Sequence, residues 1–91
     1  MTLYNQNAEQ SVLGAVILDP KMMVTVASTL NDSDFYFAGH RVIYGAMLDI
    51  HEKGGEVDLV TLAEKLGDQL ENAGGISYLK EISTVPTASR S

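Results

Sequence analysis

Apolar residues in this chain recur at helical spacing in five stretches. Ala8, Val12, Ala15 and Val16 form the first stripe, widened by Leu13 and Ile17. Met23, Val26, Ala27 and Leu30 form the second. Ile43, Ala46, Met47 and Ile50 fall at i, i+3, i+4 and i+7, with Val42 and Leu48 beside them. Leu59, Leu62, Ala63 and Leu66 repeat that spacing, and Tyr78, Leu79, Ile82 and Val85 close the series. Each pattern sets its apolar side chains on one helical face, the requirement for a helix that packs against others. The expected fold is all-α: a compact bundle of five or six short helices around a single core.

Polar residues, glycines and prolines mark the boundaries. Asn7 is placed to cap the first helix, with Gln10 completing a capping box. Gly14 falls inside that helix and costs about 1 kcal/mol of propensity, which points to a neighbouring backbone crossing close by. Asp19-Pro20 resets the chain, with proline suited to a first helical position. Met22 and Met23 both read as gap-filling core residues. Asn31-Asp32-Ser33-Asp34 is a polar break able to cap the next turn. Of the aromatic run that follows, Phe35 and Tyr36 are expected inside and Phe37 nearer the surface. The longest helix spans about Gly39 to Lys53 and ends at Gly54-Gly55, since glycine takes left-handed backbone without steric cost. Asp58 then caps a helix beginning at Leu59. Gly67 and Gly74-Gly75 fray the next segment, and a last helix runs from about Ile76 to Val85 before Pro86. Residues 1–86 form the helical head, and 87–91 read as the start of a following segment.

Composition narrows the function. Ninety-one residues allow one domain, and 45% apolar content is enough for a core. Without cysteine there is no disulfide, thiolate metal site or thiol nucleophile, which fits a reducing compartment. No apolar run reaches the ~18 residues that a membrane span needs. Met1–Gln6 lacks the basic and apolar regions of a signal peptide, so a cytoplasmic location is expected. The net charge is −6, and the six cations (Lys21, Arg41, Lys53, Lys65, Lys80 and Arg90) are never adjacent. Phosphate backbones are held by clustered cations, so weak DNA binding is expected.

Candidate chemistry is sparse. There is no G-x-x-x-x-G-K-[ST] loop to cradle phosphates and no G-x-S-x-G elbow. His40 and His51 lie on one predicted helix about 16 Å apart, too far to share a metal ion. His40 is expected to pack or hydrogen-bond at the helix start, and His51 to sit near its C-terminal end. Carboxylate pairs such as Asp49 with Glu52 and Glu64 with Asp68 have the spacing of solvated helix faces rather than of an acid–base pair. No catalytic, cofactor-binding or metal-binding residue is assigned.

Four ordered motifs carry a resemblance that spans nearly the whole chain. They are Asn7-Ala8-Glu9-Gln10-Ser11-Val12-Leu13-Gly14; Asp34-Phe35-Tyr36 with His40-Arg41-x-Ile43; the Gly54-Gly55 pair with Val57-Asp58-Leu59-Val60-Thr61-Leu62; and Gly74-Gly75-x-x-Tyr78-Leu79. Together they resemble the N-terminal domain of the DnaB-family hexameric replicative DNA helicases, cellular or phage. The resemblance implies a non-catalytic collar domain that aids hexamer assembly and takes part in contacts with primase and, in some systems, a helicase loader. It places ATP, magnesium and most DNA binding in a RecA-like motor beyond a helical hairpin, neither of which falls within these residues. Tyr4, Phe37 and Arg41 are candidate contact residues, chosen for expected exposure. Without its hairpin the isolated head is expected to self-associate weakly.

The alternative reading is a helix-turn-helix-like DNA-binding module. Thr61-Leu62-Ala63-Glu64-Lys65-Leu66-Gly67 reads like its first helix and turn. The following Asp68-Gln69-Leu70-Glu71-Asn72-Ala73-Gly74-Gly75 has two acids, no base and a glycine pair, which is poor chemistry for a recognition helix. A small stand-alone enzyme is a third class, and no pocket signature in the chain supports it.

Overall fold

Asn5, not Asn7, starts the first helix. In the computed structural model, which describes residues 5–84, Asn5 Oδ1 accepts the backbone N–H groups of Asn7 (2.8 Å) and Ala8 (3.2 Å). Asn7 is already helical, and the side chain of Gln10 is used elsewhere. The elements in order are α1 (Gln6–Leu18), α2 (Met22–Ala27), a 3-10 turn (Asp32–Asp34), α3 (Ala38–Glu52), α4 (Leu59–Leu66), a second 3-10 turn (Gly67–Leu70) and α5 (Gly75–Thr84). All regular elements among the described residues are helical, as the apolar stripes predict.

The boundaries differ from expectation in specific places. Helix α2 starts at Met22, with Lys21 rather than Asp19 as the flanking residue, and Pro20 sits in the preceding turn. Leu30 lies beyond α2 yet is buried. Met23 is core, whereas Met22 is on the surface at the start of the helix. The Asn31–Asp34 break forms a closed turn: Asp34 Oδ2 accepts the Asn31 N–H at 2.8 Å. Helix α3 ends as anticipated, Gly54 adopting φ +81°. Ahead of α4, Asp58 Oδ1 accepts the Thr61 N–H at 2.9 Å while Thr61 Oγ1 accepts the Asp58 N–H at 3.0 Å, a reciprocal cap. The Gly67–Leu70 segment tightens into 3-10 geometry rather than fraying. Val85, Pro86 and residues 87–91, for which the sequence reading made assignments, lie outside the described residues.

One apolar cluster draws on every helix: Leu13 and Val16 of α1, Met23 of α2, Ile43 and Met47 of α3, Leu62 of α4, Leu79 and Ile82 of α5. The buried face of α1 is centred on Leu13, Val16 and Ile17, so Ala8, Val12 and Ala15 lie on its margin. Gly14 is buried where α1 meets α5. A Cβ there would overlap the Ile82 carbonyl oxygen, so the close backbone crossing inferred from sequence is present. Phe35 is fully buried against Tyr44, ring centroids 4.8 Å apart. Tyr44 in turn donates its hydroxyl to the Leu30 carbonyl at 2.9 Å, which fixes the chain after α2 to the middle of α3. Burial pushes the Tyr44 hydroxyl up to about 12, with Asp34 and then Asp32 adding to the effect.

Tyr36 corrects the sequence reading: it is 60% exposed. Phe35 is in extended backbone, so the side chain after it leaves on the opposite side. Phe35 takes the core and Tyr36 turns outward. Phe37 is half-buried, its ring edge-on to Tyr36 with centroids 5.2 Å apart.

Candidate functional site

The unusual feature of this core is a carboxylate. Glu9 is 0% exposed, although it is an ionisable side chain on the first helix. Its position follows from helical spacing: Glu9 precedes Leu13 by four residues and Val16 by seven, so it lies on the buried face of α1. A buried carboxylate without partners costs several kcal/mol. Glu9 has three. Its Oε2 accepts the Tyr36 N–H at 2.7 Å, and its Oε1 accepts the Phe37 N–H at 3.4 Å and meets His40 Nδ1 at 2.7 Å. The two backbone groups lie immediately ahead of α3. Phe37, the residue flanking that helix, has no side chain able to cap it. An acid from α1 therefore anchors the entry to α3 from outside.

His40 carries the network onward. It is 3% exposed and sits three residues before Ile43 and seven before Met47, on the buried face of α3. Its Nε2 lies 2.5 Å from the Tyr78 hydroxyl, and the two rings stack at 13° with centroids 5.8 Å apart. Tyr78 Oη also accepts the Gln10 side-chain amide at 3.0 Å. One assignment of hydrogens satisfies all of these contacts. Nδ1–H of a neutral His40 donates to Glu9, the Tyr78 O–H donates to Nε2, and the Gln10 amide donates to the tyrosine oxygen. Side chains from α1, α3 and α5 are thus joined in one chain of hydrogen bonds.

A shallow cleft of about 240 Å³ opens over this junction, lined by Gln6, Phe37, Asn72, Gly74 and Tyr78 among others. No group of three or more metal-ligating side chains occurs among the described residues, and no helix among them is long and apolar enough to cross a membrane. His51 lies in the last turn of α3, at the opposite end from His40. Of the proposed carboxylate pairs, Asp49 instead contacts Lys65 of α4 at 2.8 Å. The hydrogen-bonded Lys65 ammonium holds the Asp49 carboxyl below its ordinary range, and the Asp49 carboxylate in turn raises the Lys65 ammonium.

The three contact candidates from the sequence do not form one patch among the described residues. Tyr4 lies outside them. Phe37 packs its ring against His40, with centroids 5.7 Å apart. Arg41 is exposed, yet its Nη1 donates to the carbonyls of Phe35 (2.9 Å) and Tyr36 (2.8 Å), so the guanidinium braces the loop that precedes its own helix. The motif residues are placed more informatively. Glu9, Gln10, His40 and Tyr78, distant in sequence, meet at one point, with Gly74 beside them. Ile43, Leu62 and Leu79 are core, Gly14 is the α1–α5 crossing, and Asp58 is the α4 cap. Sequence reasoning did not assemble the Glu9–His40–Tyr78 junction. Its signal was a charged or polar residue in register with an apolar stripe, on three helices at once.

The helix-turn-helix alternative finds little support in this geometry. After α4 the chain forms a 3-10 turn bearing Asp68, and the next helix, α5, buries Leu79 and Ile82 against the core.

Comparison with known proteins extends the description. The whole chain, residues 1–91, matches the family model for the DnaB-like helicase N-terminal domain. It is 50% identical over 84 residues to the replicative DNA helicase DnaB of Geobacillus stearothermophilus, covering 89% of this chain and 18% of that protein. It is 47% identical over 87 residues to the replicative DNA helicase DnaC of Bacillus subtilis, covering 92% of this chain and 19% of that protein. The fold is similar to the crystal structure of the N-terminal domain of DnaB helicase from Mycobacterium tuberculosis. The TM-score is 0.85 at 37% identity, over 98% of this chain and 64% of that one. A structure of a DnaB-like replicative helicase, described with its interactions with primase, matches with a TM-score of 0.80 at 34% identity, over 87% of this chain and 19% of that one. The chain spans less than one-fifth of the length of these curated relatives.

Proposed function

Because the chain belongs to the DnaB-like helicase N-terminal domain family, we propose that it serves as the collar domain of a hexameric, ATP-dependent replicative DNA helicase. In this role it supports ring assembly and contributes to contacts with primase or a loader, in the cytoplasm. The family match over all 91 residues carries the proposal. The primase interactions described for a structural relative support the partner class. The physical character of the domain agrees. It has a net charge of −6, scattered cations and no phosphate-cradling loop, so what it can offer is shaped surface on a fixed scaffold. ATP, magnesium and the principal DNA contacts belong to a motor domain elsewhere in the full-length protein. Tyr4, Phe37 and Arg41 are the residues proposed to touch partners.

The test compares the full-length helicase with a form lacking residues 1–86. Loss of the head should leave ATP hydrolysis measurable, shift the ring toward smaller species at low concentration in sedimentation, and weaken primase or loader capture. Rings of unchanged stability with unchanged partner affinity would refute the proposal. So would ATP turnover by the 91-residue chain itself.

A further inference from the structure

Helix α5 differs from its neighbours in how it is attached. It begins at two consecutive glycines with positive φ, Gly74 at +105° just before the helix and Gly75 at +79° as its first residue. Such a pair can swivel where other residues would be strained. One turn later Tyr78 is tied to two other helices, through His40 of α3 and Gln10 of α1. A hinge followed within one turn by a polar fastening is the arrangement of a latched arm. The latch lies beside the cleft, where Tyr78 is half-buried and water can replace its partners. The apolar face of α5, Leu79 and Ile82, is packed where Gly14 lets the backbones approach.

We propose that α5 opens as a unit about Gly74–Gly75, and that the Tyr78 hydroxyl, held by His40 and Gln10, is the latch that sets how often it does so. Opening leaves α3 and α4 packed against each other. A detached ten-residue helix is too short to persist alone, so each opening exposes the α5 amides to solvent. This inference rests on the fold and holds whether or not the collar function does.

Native-state amide hydrogen exchange on the 91-residue chain tests it. In the unmodified chain, the amides of Leu79 to Ser83 should exchange with a shallower dependence on urea than those of Met47 and Leu62. Identical slopes would mean that α5 opens only with the whole domain and would overturn the proposal. In Tyr78→Phe the α5 amides should exchange about tenfold faster, while Met47 and Leu62 change less than half as much on a logarithmic scale. Equal acceleration everywhere, or none in α5, would also overturn it. Should Tyr78→Phe fail to fold, the slopes in the unmodified chain decide alone.

Discussion

The two ends of α3 are held in different ways. At its start, the helix is bound by a buried carboxylate, an imidazole and a phenol contributed by three helices, with Glu9 at 0% exposure. Towards its end it packs against α4 through Met47, Leu62 and Leu66, and the ionic contact across that pair, Asp49 to Lys65, lies at the rim in solvent. Polar groups at the first end are expensive to disturb, because removing one partner strands the others in a low-dielectric core. At the second end, water replaces whatever is lost. A small domain thus fixes the relative position of α1, α3 and α5 with directional bonds, while α4 relies on apolar area and a local cap.

Replacing Glu9 with alanine should sharpen that contrast most. It leaves the Tyr36 and Phe37 N–H groups and His40 Nδ1 without an acceptor, an expected loss of about 3–4 kcal/mol by urea denaturation. A loss below ~1 kcal/mol would erase the distinction between the two ends. Gly14→Ala comes next. The added methyl meets the Ile82 carbonyl, and the overlap should outweigh the ~1 kcal/mol gain in helix propensity, for a net loss of about 2 kcal/mol. A stabilised variant would mean that α5 does not press on α1.

Alkaline pH reaches the middle of α3. The Tyr44 hydroxyl is raised in the folded chain to about 12, from 10.0 when unfolded. The unfolded state therefore loses its proton first. Stability is full below pH 10 and should fall by about 1.4 kcal/mol per pH unit from there towards 12. Tyr44→Phe should flatten that decline, as followed by urea midpoints across pH 9–11.5. The smallest effect belongs to the α3–α4 rim. Asp49→Asn should leave the urea midpoint at neutral pH almost unchanged. The lowered Asp49 carboxyl favours the folded state at neutral pH and loses this as pH falls through its folded range, but solvent screens the exposed pair, so the contribution is small. A clear destabilisation would show that the exposed pair matters as much as the buried one.

The helices were legible because their signals are local. The apolar spacing of Ile43, Ala46, Met47 and Ile50 marks α3, and Asp58 with Thr61 makes the α4 cap from residues three apart. Gly14 was legible too, since a glycine inside an apolar stripe has few other uses. What escaped depends on distant partners. The aromatic run places Tyr36 in the core, but its backbone N–H is turned to Glu9 while its ring faces out. Asn7 with Gln10 resembled a capping box, but the Gln10 side chain is drawn to Tyr78, 68 residues away, and Asn5 caps instead. The motif positions Glu9, His40 and Tyr78 carried the family resemblance separately, and only the fold shows them in contact.

That contact is best tested by a double-mutant cycle on stability, combining Glu9→Gln with Tyr78→Phe. His40 bonds to both side chains and links them. If the junction works as one unit, their effects should depart from additivity by at least about 1 kcal/mol. Additive losses, within ~0.3–0.5 kcal/mol, would mean that the three helices are not joined by a shared network.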